Sequence, residues 1–189
     1  MLLRHGSTKY GKNSARAAIW WNHGTSLDER NRVTLPPCAT NHGVIFTMTE
    51  KAYQASCGCN NIRYCFNTAI LPGVWPVRKC TCSFCSRRTN HVHCADPNGS
   101  VSYEFSHPEK VTRYRHGTKT ADFLVCTSCD SYMGAVMLTD KGRFAVLNIE
   151  HLVDDLLLPE INNLAWESEE LESRLARRHK TWTPVIGAA

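Results

Sequence analysis

No stretch of the 189-residue chain approaches the roughly 20 consecutive apolar residues that a membrane-spanning helix needs, so no helical span and no membrane partner are expected. No apolar signal-peptide core precedes the cysteines, and no internal repeat is visible. Charge of one sign is also scarce where it would matter. The formal charge is +5, but residues 1–47 carry Arg4, Lys9, Lys12, Arg16, Arg30 and Arg32 against only Asp28 and Glu29. The remainder of the chain therefore balances at +1, and it falls to −2 if seven of its cysteines are thiolates around two divalent ions. Nucleic-acid binders concentrate basic charge on the folded part, so no nucleic-acid partner is expected.

What the chain has in quantity is cysteine, with ten residues. Their spacing speaks against a disulfide framework. Cys57/Cys59, Cys126/Cys129 and Cys80/Cys82/Cys85 would close very small loops, which gain little as disulfides but make good chelates. A reduced intracellular protein follows as the expectation: cytoplasmic, or mitochondrial if the acid-free residues 1–26 begin a presequence.

With 42% hydrophobic and 21% charged residues the composition suits one globular domain with additions. Residues 1–47, rich in Gly, Ser and Asn, read as an extension outside the fold, with Met48 as a natural start. Residues 48–155 read as a two-zinc β domain and residues 156–189 as a C-terminal helix and tail. Ile62, Tyr64 and Phe66 alternate with more polar positions, and Gly58-Cys59-Asn60-Asn61 supplies a turn, which predicts a hairpin over Tyr53–Phe66. Further strands are expected at Val101–Ser106, Lys110–Arg115, Ala121–Val125, Met133–Leu138 and Arg143–Ile149. The fold class is thus mainly β, with antiparallel sheets around two zinc sites and a C-terminal helix. After Pro159, the spacing of Ile161, Leu164, Leu171 and Leu175 predicts that helix, lying over one sheet face. Its basic run Arg177-Arg178-His179-Lys180 reads as a solvated helix end.

Crowded thiolates repel one another unless a cation lies between them. The C-x-C pair Cys57/Cys59 and the C-x-x-C pair Cys126/Cys129 supply four thiolates, enough for a closed tetrahedral site that adds directly to folding energy. On an extended segment Cys57 and Cys59 would share a side. Cys80, Cys82 and Cys85 supply three thiolates. If His91, His93 or Cys94 adds a fourth ligand, this second site is structural; if none does, it is open for chemistry. Cys38 and Cys65 fall outside both patterns, and His107, His116 and His151 read as structural histidines.

Cys57-Gly58-Cys59 with Ile62-Arg63-Tyr64, then Cys80-Thr81-Cys82-Ser83-Phe84-Cys85 with Arg87-Arg88, then Cys126-Thr127-Ser128-Cys129, resembles the glutathione-dependent formaldehyde-activating enzyme family, which includes the centromere protein V-like proteins. The resemblance covers about Thr49 to Leu152. It implies a mainly β fold with two zinc ions per chain. By that pattern Cys57, Cys59, Cys126 and Cys129 hold a structural ion, while Cys80, Cys82 and Cys85 hold an open one that meets a glutathione-like thiol or its adduct. The chain departs from the family pattern at Asp130 and Asn90, where Gly is usual, and at Phe123-Leu124-Val125, without losing a zinc ligand.

The expected function is therefore that of a zinc-dependent enzyme resembling carbon–sulfur lyases, acting on a thiol adduct or small carbonyl compound at an open, three-cysteine zinc. The alternative is a non-catalytic zinc module for protein interaction. Glu104, His91 and His93 are the acid–base candidates, and Arg87 and Arg88 the candidates for steering an anionic substrate.

Overall fold

The computed structural model describes residues 50–89 and 91–187; the expectations for residues 1–47, Cys38, Met48 and Asn90 fall outside them. The described chain is mainly β. In order it forms β1 (Lys51–Ser56), β2 (Ile62–Thr68), β3 (Arg78–Cys80), β4 (His93–Cys94), β5 (Ser100–Phe105), β6 (Val111–Arg115), β7 (Asp122–Cys126), β8 (Tyr132–Thr139), β9 (Gly142–Asn148), β10 (Asn162–Leu164), the helix α1 (Leu171–Thr181) and β11 (Thr183–Pro184). The small antiparallel sheet runs β1-β2-β5. The larger runs β10-β3-β4-β9-β8-β7-β6, with β11 also on β9 and β10 parallel to β3. The predicted long strands are present. The pattern of the sequence does not reveal β3, β4, β10 and β11, of two or three residues each, because so short a strand shows no period.

The small sheet packs on one face of the large one. Ile62, Tyr64 and Phe66 of β2 meet Leu124, Met133 and Leu147 in the main apolar core. Full burial of each such side chain is worth about 1.5–3 kcal/mol. The Tyr53 ring closes this core edge-on to Trp75, 4.8 Å away. The opposite face of the large sheet carries Phe123, Ala135, Met137 and Val146 under Trp182 and Leu175. Helix and sheet face are thus arranged as the sequence suggests.

One irregularity decides which side chains reach that second face. Leu124 pairs with Gly134, but Val125 pairs with Tyr132, so β8 carries Met133 as an extra residue against β7. Ala135 and Met137 point to the second face and Val136 to the first. Strict alternation would send Met133 with Ala135 and turn Tyr132 into the main core. The bulge reverses this: Met133 enters the main core and Tyr132 the second face. Gly134 permits it, with φ at +130° and the Val146 carbonyl oxygen pressed against the place where a Cβ would stand.

The C-terminal segment departs from the predicted helix. Ile161 and Leu164 precede it, and helix begins only at Leu171. The main-chain groups that an earlier start would need are already engaged. The Leu164 carbonyl accepts from the Thr81 amide at 3.1 Å, which fixes β10 beside β3. Arg174 Nη2 donates to the carbonyls of Trp166, Glu167 and Glu169. Bidentate Glu169 then locks Arg177, with contacts of 2.8 and 2.6 Å.

Gly134→Ala is expected to lower unfolding free energy by about 2–3 kcal/mol in urea titrations, since it forces strained backbone into contact with a carbonyl. Gly73→Ala, where a Cβ meets nothing within 4 Å, is expected to change it by less than about 0.5 kcal/mol.

Candidate metal centres and active-site cavity

The first cysteine group joins two turns. Between β1 and β2 the Asn60 amide donates to the Cys57 carbonyl at 2.9 Å, and Asn60 has a φ of 61°, a left-handed geometry that asparagine tolerates. Cys57 and Cys59 therefore share a side because the chain turns there, and not because it is extended. Between β7 and β8 the Asp130 amide donates to the Cys126 carbonyl at 2.8 Å, with Asp130 at a φ of 55°. This left-handed position explains why glycine suits the place where this chain has Asp130. The four sulfurs of Cys57, Cys59, Cys126 and Cys129 lie within 4.8 Å of one another. Cys57 and Cys59 are 3.7 Å apart, and Cys59 and Cys126 are 3.5 Å apart. A tetrahedral zinc with bonds near 2.3 Å spaces its sulfurs about 3.8 Å apart, so the group fits such an ion. The Ile62 amide points at Cys57 Sγ from 3.2 Å, and Ser131 Oγ lies 3.3 Å from Cys129 Sγ, outer contacts of the kind that orient ligands.

The second group sits on the loop after β3. The sulfurs of Cys80, Cys82 and Cys85 also lie within 4.8 Å of one another, and no histidine, carboxylate or further cysteine among the described residues joins them. The C-terminal segment holds this loop. Glu167 Oε1 accepts from both the Ser83 amide and the Ser83 hydroxyl at 3.0 Å. Because a carboxylate only accepts, Ser83 donates to it, and His116 Nε2, 3.1 Å from Ser83 Oγ, is left to donate to the hydroxyl. Phe84 anchors the loop among Phe123, Tyr132 and Tyr114, with centroid distances of 4.7, 5.2 and 5.5 Å. The crowding marks the thiols themselves. Cys80 and Cys85 hold the Cys82 thiol far below its ordinary value, whereas Cys80 and Cys82 push Cys85 far above. Without a cation, one sulfur keeps its charge only by leaning on the protons of its neighbours; a divalent ion would let all three ionise.

This loop opens into a cavity of about 270 Å³ on the second face of the large sheet. Arg78, His93, Tyr132 and Glu167 line it with the three cysteines, under Arg174, Arg177 and Arg178 of α1. His93 and Tyr132 are 5% and 2% exposed, yet among the described residues His93 Nε2 and the Tyr132 hydroxyl have no hydrogen-bond partner. Burial, then Arg78 and His91, hold the His93 imidazole down to about 3, so it is neutral. Burial, then Cys85, raises the Tyr132 phenol well above its ordinary value, so it keeps its proton. Two buried polar atoms of cavity-lining residues are thus left without a protein partner among the described residues.

The sequence candidates fall in different places. His91 presents its two ring nitrogens to the carbonyls of Arg88 and Cys80, at 2.6 and 3.1 Å. Cys94 alternates with His93 on β4 and points into the main core, where burial pushes its thiol to about 12. Glu104 pairs with Arg63 at 2.7 Å on the small sheet and does not line the cavity. Neither do Arg87 and Arg88; Arg88 stacks on Phe84 at 4.9 Å and binds the Asp130 carbonyl at 3.0 Å. His116 does line it, whereas Cys65 lies on β2 in neither thiol group. The basic run of α1 is not a solvated end: Arg174 and Arg178 are buried, and Arg177 and Arg178 face the cavity. Sequence reasoning missed Arg78, Arg174, Arg178 and Tyr132. Only the spacing of Arg174, Arg177 and Arg178 at i, i+3 and i+4 could have suggested one shared helix face.

No family model and no curated protein matches the chain. A crystal structure of a Rhodobacter sphaeroides protein, a structural-genomics target, is similar over 59% of this chain and 99% of its own, at 23% identity and a TM-score of 0.44. No helix among the described residues is long and apolar enough to cross a membrane.

Metal analysis of the purified chain is expected to give two divalent ions per chain. Cys126→Ser should lose one ion and lower Tm steeply, because that group ties two distant turns together. His93→Gln should keep both ions; loss of one would make His93 a ligand.

Proposed function

We propose that the chain is a zinc-dependent enzyme resembling carbon–sulfur lyases, which acts on a thiol adduct or a small carbonyl compound beside Cys80, Cys82 and Cys85. The observation that carries this reading is a group of three thiols that lines a cavity, apart from a group of four thiols that joins two distant turns. A zinc ion held there would bind a thiol as thiolate or polarise a carbonyl.

The chain's own residues set what such a site favours. Three anionic ligands temper the acidity of a divalent ion, which suits holding and exchanging thiolates better than activating water. Tyr132, protonated, donates a hydrogen bond to a carbonyl or hydroxyl oxygen in the cavity. His93, neutral, offers a second buried contact through Nε2. Glu167, whose carboxyl is held below its ordinary value by the Ser83 amide and hydroxyl, keeps the ligand loop in place as an acceptor. Phe123, Trp166 and Trp182 keep the walls apolar, which strengthens each polar contact inside. An interaction module, the alternative reading, has no use for a cavity lined in this way.

The test is thiol–carbonyl adduct exchange followed by NMR, with the zinc-loaded full chain and a panel of thiols that includes glutathione, with formaldehyde as first carbonyl. Exchange is expected to accelerate at least about tenfold. Cys82→Ala should abolish the acceleration and lose one ion, yet melt cooperatively within a few degrees of the parent. A Cys82→Ala variant that fails to fold, or a parent that accelerates no pair, overturns the reading.

A further inference from the structure

The cavity holds more positive charge than its surroundings balance. Arg78, Arg174, Arg177 and Arg178 all line it. Glu167 lines it as well, and Glu169 pairs with Arg177 at 2.6 Å and with Arg174 at 3.8 Å. Three thiolates around a divalent ion contribute one further negative charge. Four cations then face three anions, a surplus of one. Arg174 and Arg177 are engaged with Glu169. Among the described residues no carboxylate lies within ion-pair distance of Arg78 or Arg178. The Arg78 side chain donates to the Pro76 carbonyl at 3.2 Å. Arg178 donates to Thr120 Oγ1 at 2.8 Å and lies 4.8 Å over the Trp182 ring, while its buried Nε has no partner among the described residues. Burying a guanidinium without an anion is costly, and burial with the neighbouring Arg174 and Arg177 already lowers Arg178 to about 10.

Resting on the open-site reading above, we infer that the cavity takes a small thiol or thiol adduct that carries one carboxylate, with its sulfur toward Cys80, Cys82 and Cys85 and its carboxylate on Arg78 and Arg178. A guanidinium matches a carboxylate in shape and can hold it through two parallel hydrogen bonds. The roughly 270 Å³ available sits just below the usual range for small-molecule sites, which favours a compact guest over an extended peptide. When the thiol ionises on binding, its proton leaves to solvent and its sulfur joins the thiolate group, while the carboxylate meets the guanidiniums of Arg78 and Arg178. His93 Nε2 and the Tyr132 hydroxyl are left to meet polar atoms near the sulfur.

The test compares mercaptoacetate with 2-mercaptoethanol, which share the thiol and carbon framework but differ in carboxylate against hydroxyl. The full chain is loaded with cobalt(II), whose thiolate absorption reports both occupancy and the arrival of a further sulfur. Mercaptoacetate is expected to bind about tenfold tighter or more, the scale of one charge-assisted hydrogen bond. Arg78→Gln and Arg178→Gln should each remove most of that preference at unchanged cobalt stoichiometry, and Arg78→Lys, which keeps the charge, should retain part of it. Arg78, the less buried of the two, carries the test if the Arg178 variant does not fold. Equal binding of the two thiols by the parent, or a preference that survives both substitutions, overturns the carboxylate assignment. A chain that takes no cobalt at the Cys80–Cys82–Cys85 group instead overturns the open-site reading, and this assignment with it.

Discussion

Seven thiols gathered into two small volumes cannot ionise together unless a cation takes the place of their protons, and the fold is arranged around that constraint. The group of four stands where two tight turns meet, the β1–β2 turn and the β7–β8 turn. Both turns need left-handed backbone, and they meet that need with Asn60 and Asp130, residues that tolerate it. An ion shared by four sulfurs would fix both turns at once and join the small sheet to the large one. The group of three therefore carries no such duty. Its loop is held from outside, by Glu167 on Ser83, by β10 on β3 and by Phe84 in an aromatic nest.

That division explains why the C-terminal segment is not ornamental. It begins as a strand beside Cys80, turns through Trp166 and Glu167 over the ligand loop, and returns as a helix whose arginines roof the cavity. Its internal wiring, Arg174 on three carbonyls and Arg177 on Glu169, ties the turn before the helix to the helix itself. Apolar contact adds to this: Leu175 and Trp182 pack into the adjoining cluster and Ile161 and Val185 against the main core, while Leu171 is exposed.

Much of this is legible in the sequence, for identifiable reasons. Ile62, Tyr64 and Phe66 show period two because one side of β2 faces the core, and C-x-C and C-x-x-C spacings survive any fold that brings their turns together. The cavity is not legible. A guanidinium facing a pocket is spelled like one facing water, so Arg177 and Arg178 read as a solvated helix end. The start of α1 is hidden because Ile161 and Leu164 have helical spacing while the main chain around them is bound to Thr81 and Arg174. Tyr132 is invisible for another reason: one extra residue in β8 reverses which face it serves, and a bulge leaves no mark in a hydrophobic pattern beyond the glycine that allows it.

The bulge and the arginines also bear on one another. A regular β8 would turn Tyr132 into the main core and bring Met133 to the second face, leaving an apolar wall in place of the hydroxyl. With the bulge, that wall carries a hydroxyl which burial keeps protonated, beside an imidazole which burial keeps neutral. Neither group can cancel the arginine charge, and neither adds to it. The cavity is thus polar without being self-neutralised: Tyr132 and His93 line it as uncharged groups, while Arg78 on β3 and Arg178 on α1 carry positive charge. A protein that needed these groups only for stability would have paired them, since each orphaned polar atom costs about 1–3 kcal/mol. His93 Nε2, the Tyr132 hydroxyl and Arg178 Nε stand without a partner among the described residues, an arrangement that fits the proposed reading, in which a ligand supplies it.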